Sequence, residues 1–251
     1  MAPENLYTRG FTRLIHADKK LCKKMKNQAI TRPELFTVRH VLIIETSTDT
    51  ASIALATDGK IVVEKSFTSD RRHNALLFEP LGEIIQEYGK LALDAVLVGS
   101  GPGSYSGTRV GIAAAQGAAL IAGCNAIAIP SILGTEVALS KKSCLAVGDA
   151  RRGSYWLARI DENQLIGNPE ITDTIGFDTA LNQAEENGTL CFCMEAIRDR
   201  EISITKPTAT GLWKAWQNSP PQTQSLWAEK IPQPIYLAPP HITPSKKQVF
   251  G

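Results

Sequence analysis

The stretch VGSGPGSYSGTRVGIAAAQGAAL, Val98 to Leu120, runs from an apolar segment through a glycine-rich loop into a helix of small and apolar residues. LDAVLVGS, which leads into it, is a continuous apolar run that reads as a buried strand. The helix that follows is apolar nearly all round, so it must be covered nearly all round. Strand, tight loop and covered helix in this order fit one unit of an α/β fold. The loop itself, Gly101, Pro102, Gly103, Ser104 and Gly107, reads as a structural turn. Its glycines permit positive φ, Pro102 stiffens it, and Ser106 or Thr108 is placed to cap the helix.

The loop does not meet the requirements of a phosphate site. A P-loop needs a Lys after its last glycine, and here Gly107 is followed by Thr108 and Arg109. A dinucleotide fingerprint needs G-x-G-x-x-G and a later acid; Gly101, Gly103 and Gly107 are spaced one residue too far, and 121–130 holds no Asp or Glu. A nucleophile elbow needs Ser at the centre of GSYSG, where Tyr105 stands. The four histidines are His16, His40, His73 and His241, and the position four after His73 is Leu77, so no helical metal pair forms. Asp149 ends an apolar strand and is followed by Arg151 and Arg152. We read this as a turn in which Asp149 and Arg151 pin a hairpin, without a second carboxylate for acid/base work. No catalytic residue, cofactor or metal ligand is assigned.

The chain from His40 onward is regular. VLIIETS is a buried strand, and TASIALATDGKIVVEKSF is a hairpin turning at Asp58 and Gly59. SDRRHNALLFEPLGEIIQEYG is a helix with Leu77, Leu81, Ile84 and Tyr88 in one stripe, Ser69 or Asp70 as cap, Gly89 as its end, and Pro80 breaking its start. NAIAIPS is a strand and SILGTEVALS a short helix. The pattern then restarts: KSCLAVGDA, two strands joined by a turn at 161–163, the strand TLCFCMEA and the short helix TGLWKAWQNS. This is a duplicated α/β unit whose second copy is traceable only through its first strands. The expected domains are a disordered or non-native extension at 1–39, a first lobe at 40–138, a second at 139–240 and a tail at 241–251. The Pro-rich residues 219–251 read as an extended segment that packs through Ile235, Tyr236 and Leu237.

Charge is uneven. Residues 1–40 hold nine Lys/Arg and three Asp/Glu, and the rest holds 18 and 22, so the body is mildly acidic and nucleic-acid binding by a basic face is not favoured. No apolar run reaches the 18 residues of a membrane span, and the basic N-terminus lacks the apolar centre of a secretory signal. The five cysteines have no zinc spacing and read as buried thiols, with Cys191 and Cys193 on one face of their strand and Phe192 on the other.

Two helices carry more apolar surface than one sheet can cover. On the second, Gly111/Ala115, Ala114/Ala118 and Ala115/Ala119 are small pairs four apart, which let another helix approach closely. The expected partner interface is Leu77, Phe78, Leu81, Gly82 and Ile85 on one helix and Val110, Gly111, Ala114, Gly117, Ala118 and Ile121 on the other.

IIETSTDTASIAL, RRHNALLFEPLGEII, GSGPGSYSGTRVGIAAAQGAA, IPSILGTEVA, VGDARRGSYWLARI and IPQPIYLAPPHIT resemble, in order and spacing, the TsaB (YeaZ) family over about residues 40–244. The resemblance implies an actin-like, ribonuclease H-like α/β fold of two lobes with mixed five-stranded sheets, the second lobe reduced. It implies a cytoplasmic, non-catalytic partner in forming N6-threonylcarbamoyladenosine at position 37 of tRNAs that read ANN codons. In that pathway TsaC makes threonylcarbamoyl-AMP, TsaD transfers the group as a heterodimer with TsaB, and TsaE binds the pair. A homodimer forms when TsaB is alone, and tRNA is met only through the complex. TsaD-like proteins carry an H-x-x-x-H pair that this sequence lacks. Thr108 stands where a bulky apolar residue is usual, and Ala238 where Arg is common. A metallopeptidase or a small-molecule kinase on the same fold are the rival readings.

Overall fold

The computed structural model describes residues 38–68, 76–88, 92–140 and 143–237. The readings that rest on His16, His73, His241, the cap at 69–70, Gly89 and Ala238 lie outside them. Val38 and Arg39, read from sequence as part of the extension, already join the body. Val38 packs on the core, and Arg39 donates its N–H to Asp94 at 2.7 Å and pairs with Asp58 at 3.0 Å.

The first sheet holds β1 (His40–Glu45), β2 (Thr50–Thr57), β3 (Lys60–Thr68), β4 (Ala95–Gly99) and β5 (Asn125–Ile129) in the order β3-β2-β1-β4-β5. Short connections make β1, β2 and β3 antiparallel, and helical crossovers make β1, β4 and β5 parallel. The β2–β3 turn places Asp58 and Gly59 at φ 49° and 83°, as a two-residue hairpin requires. Ile43 lies beside Leu97 and Leu97 beside Ile127 on one face, and Leu42 beside Val96 on the other, so the centre of the sheet is apolar on both faces.

The second sheet holds β6 (Ser143–Arg151), β7 (Ser154–Asp161), β8 (Gln164–Thr172), β9 (Leu190–Cys193) and β10 (Ser203–Ile204). Its order, β10-β9-β6-β7-β8, places first, second, third, fourth and fifth strands as the first sheet does. The duplication therefore extends through all five strands. It fades in the sequence because β9 and β10 are only four and two residues long. Cys191 and Cys193 face one core and Phe192 the other. Burial pushes the pKa of the Cys144 thiol up to about 11 and raises those of Cys191 and Cys193.

Helices α1 (Phe78–Tyr88) and α2 (Tyr105–Ala122) cover one face of the first sheet. A 3-10 turn at Ser131–Gly134 and α3 (Glu136–Ser140) lead to β6, and α4 (Thr174–Glu186) covers the outer face of the second sheet. Helix α5 (Ala209–Asn218) returns to the first sheet, where Leu212, Trp213 and Trp216 pack on Val41, Ile43 and Leu97, while its Ala215 meets the core of the second. The sequence division at 138/139 thus separates α5 from the sheet it covers. A further helix, α6 (Pro221–Ala228), occupies part of the segment expected to be extended. Pro221 stands at its first turn, where a missing N–H costs nothing.

Candidate functional site

The loop between β4 and α2 is stitched to the end of β1 by backbone-level contacts. Ser104, not Ser106 or Thr108, caps α2: its Oγ accepts from the Gly107 N–H at 3.2 Å, and its own N–H donates to the Ser47 carbonyl at 2.6 Å. Ser106 is exposed, and Thr108 is buried one turn further in. A Cβ on Gly103 would lie 2.3 Å from the Ser47 carbonyl oxygen, and one on Gly111 would lie 2.2 Å from Thr46 Oγ1. Thr46 Oγ1 donates to the Gly107 carbonyl at 2.8 Å, and the Gly101 N–H donates to Ser131 Oγ at 2.9 Å. The glycines thus serve close approach of α2 to the residues after β1.

Beneath the loop lies Glu45, a residue that sequence patterning does not single out. Its carboxyl is fully buried; Oε1 accepts from the Ser47 N–H at 2.6 Å. Burial holds its pKa above the ordinary carboxylate range, against the lowering effect of hydrogen bonds from Ser47 and Ser131. The available signal was an acid closing the apolar run VLIIE, with Asp149 near the end of the corresponding strand β6. Asp149 serves its own turn: it accepts the Arg151 N–H at 2.6 Å and pairs with the Arg151 guanidinium at 3.3 Å. Arg151 and Arg152 carry φ of 73° and 56° there. Among the described residues, no three His, Cys, Asp or Glu side chains gather as metal ligands would.

The outer surface divides the expected interface residues. Leu77 and Leu81 are buried with Ile84 against Leu42 and Ile44, and Gly111 faces Thr46, so these three are core residues rather than contact residues. Val110, Ala114 and Ala118 are half-buried along the flank of α2. Phe78, Gly82, Ile85, Gly117 and Ile121 face outward, with Phe78 58%, Ile85 51% and Ile121 90% exposed. Leu120 and Tyr105 join them at 84% and 66%, although the spacing argument did not select them. Periodicity shows that a helix is apolar; it does not say which side the sheet takes when all sides qualify. Arg109 lies on the outward side, its guanidinium 3.9 Å from the Tyr105 ring centre and bonded to Tyr236 Oη at 2.9 Å. A separate groove of about 430 Å³ lies between β3 and α1, lined by Lys65, Phe67, Leu76, Glu79, Pro80 and Glu83, among others.

Residues 62–181, from β3 into α4, match the family model described as "TsaD: tRNA N6-adenosine threonylcarbamoyltransferase". The "tRNA threonylcarbamoyladenosine biosynthesis protein TsaB" of Escherichia coli K12 is 30% identical over 142 residues, 54% of this chain and 61% of that protein. The same-named protein of Haemophilus influenzae is 30% identical over 129 residues, 48% of this chain and 53% of that one. The likeness is to the TsaB (YeaZ) family. The chain spans between half and two thirds of these TsaB proteins. In structure it is similar to YeaZ from Pseudomonas aeruginosa, with TM-score 0.58 and 20% identity, covering 79% of this chain and all of that one. A second structure, an uncharacterized protein with similarity to peptidase YEAZ from the same organism, gives 0.59 and 21%, over 80% of this chain and all of that one. These two share the fold: an α/β architecture with two mixed five-stranded sheets. The family-model match takes in α1, the loop and α2, but neither Glu45 nor α5.

Proposed function

We propose that this chain is a TsaB protein, the non-catalytic partner of TsaD in forming N6-threonylcarbamoyladenosine at position 37 of tRNAs that read ANN codons. It pairs with TsaD through the outer faces of α1 and α2, the pair binds TsaE, and tRNA is met through that complex in the cytoplasm. Without TsaD the same surface forms a weaker homodimer. The observation that carries this reading is the exposure of Leu120 and Ile121, with Phe78 and Ile85, on the helical layer over the first sheet. Large apolar side chains grouped on one face mark an interaction surface. Small neighbours, Gly117 and Gly82, have open space at their Cβ positions and leave room for a partner's backbone. A specific interface buries roughly 1,600 Å² in total, which suits two such helices from each subunit.

The loop favours the scaffold over a kinase. Glu45, the acid at the end of β1, is enclosed under it. The test is complementation in a strain depleted of its own TsaB. The wild-type chain restores modified tRNA, and Ile121→Arg, changed at a solvent-facing position, folds but does not. Restoration by Ile121→Arg overturns the proposed surface, and ATP turnover near 1 s⁻¹ by the purified chain, an ordinary enzyme rate, overturns the scaffold role.

A further inference from the structure

We propose that Tyr105, Arg109 and Tyr236 form a clamp that takes a single carboxylate side chain from the protein docking on α2. The inference rests on the docking surface proposed above and adds its polar anchor. Tyr236 comes from the far end of the described chain. After α6 the backbone crosses back over the glycine loop, where the Ile235 N–H donates to the Ser100 carbonyl at 2.8 Å. Leu237 then packs against the core of the second sheet. This strap brings Tyr236 Oη to Arg109 Nη2 at 2.9 Å and its ring centre to 5.7 Å from the guanidinium, with Tyr105 at 3.9 Å. Both tyrosines remain largely exposed, at 66% and 54%.

The guanidinium thus lies between two rings, yet among the described residues it forms no ion pair with an acid. The ion pairs among the described residues use Arg39, Lys65, Arg151, Arg200 and Lys206 as cations. Of the five donors on a guanidinium, one is given to Tyr236. The planar fork matches a carboxylate through two parallel hydrogen bonds, and a fork fixed in advance loses little freedom on binding. Tyrosine and arginine are also the residues over-represented at the energetic centres of interfaces.

Two observations favour a protein carboxylate over a nucleic-acid phosphate. The chain after residue 40 carries more acidic than basic residues, so this part of it offers a polyanion no net attraction. From Arg109 the exposed positions of α2 continue through Ala113, Gln116 and Gly117 to Leu120 and Ile121. Arg109 and Leu120 are therefore about 17 Å apart along one helix side. An apolar helix with an Asp or Glu near one end fits that side.

The test is a binding titration of purified full-length chain against purified TsaD, with and without tRNA and over a range of salt. Arg109→Ala is expected to weaken binding 10- to 100-fold, the range for a hydrogen-bonded charge pair, and to flatten its salt dependence. Arg109→Lys recovers part of the loss. Arg109→Gln, which keeps a donor for Tyr236, shows the same loss and serves in place of the alanine variant should that one unfold. Wild-type affinity in both uncharged variants, with Ile121→Arg abolishing binding, overturns the clamp and leaves the surface intact. A loss seen only with tRNA present overturns it by assigning Arg109 to phosphate. Failure of the wild-type chain to bind TsaD overturns the surface and the clamp together.

Discussion

Glu45 closes β1 with its carboxyl out of reach of water, so it favours the protonated form in the folded state. In the unfolded chain it ionises near pH 4.3. Above that value the folded state binds more protons than the unfolded one, so stability falls as pH rises until the folded-state pKa is passed. Glu45→Gln keeps an acceptor for the Ser47 N–H and cannot ionise. Its melting temperature, compared with wild type from pH 4 to 8, should show a gain that grows with pH. A gain independent of pH contradicts the account. Gly103 and Gly117 give a second residue-scale contrast. A methyl on Gly103 meets the Ser47 carbonyl, a backbone atom that cannot yield, so Gly103→Ala should cost about 1–3 kcal/mol. Gly117 is in mid-helix with open space around it, so Gly117→Ala should stabilise by about 0.5–1 kcal/mol. If Gly117 faces a partner helix, the same change weakens TsaD binding. Chemical denaturation and a binding titration on the two variants separate these effects.

At the scale of elements, legibility followed the strength of each local pattern. The strands β1, β2, β4 and β6 were plain because VLIIE, TASIALA, AVLVG and CLAVG are apolar runs with clear ends. The turns at Asp58–Gly59 and around Glu162–Asn163 were plain because those residues accept positive φ. Helix α4 was not legible: TIGFDTALNQAEE buries only Phe177 and Ala184, too few for a stripe. Its start rests on Asp173, whose carboxylate accepts the Gly176 N–H at 2.9 Å. Helix α6 was concealed by the prolines around it, although Pro221 begins it. In the candidate site the helices were legible and their facing was not. Leu77, Leu81 and Gly111 turn inward, while Leu120 and Tyr105 turn outward, because α2 offers apolar residues on every side. Asp173→Ala removes the α4 cap and should cost about 1 kcal/mol, a loss that hydrogen exchange would localise to 174–178.

For the whole molecule, the informative element is α5. Its Trp213 and Trp216 sit in the core of the first sheet and its Ala215 in that of the second. Trp213 Nε1 donates to the Gly59 carbonyl at 3.1 Å, and Glu64 accepts from the N–H and hydroxyl of Thr210 at 3.1 and 2.8 Å. The Lys206–Asp49 pair, at 2.6 Å, adds a surface link between the same halves of the chain. Residues 38–237 should therefore unfold in one calorimetric transition. Trp213→Ala, with a cost of about 3–5 kcal/mol, should lower it as a unit. Two resolved transitions would show that the sheets melt independently. A sheet pair fastened in this way suits a protein that presents a fixed surface. The most direct measurement of that role is the affinity of purified TsaD for three forms: wild type, Ile121→Arg, and Ile175→Arg, which alters an equally apolar side chain 77% exposed on α4. The account predicts that Ile121→Arg loses at least a hundredfold in affinity while Ile175→Arg binds as wild type. Equal affinity for all three, or a loss confined to Ile175→Arg, would contradict it.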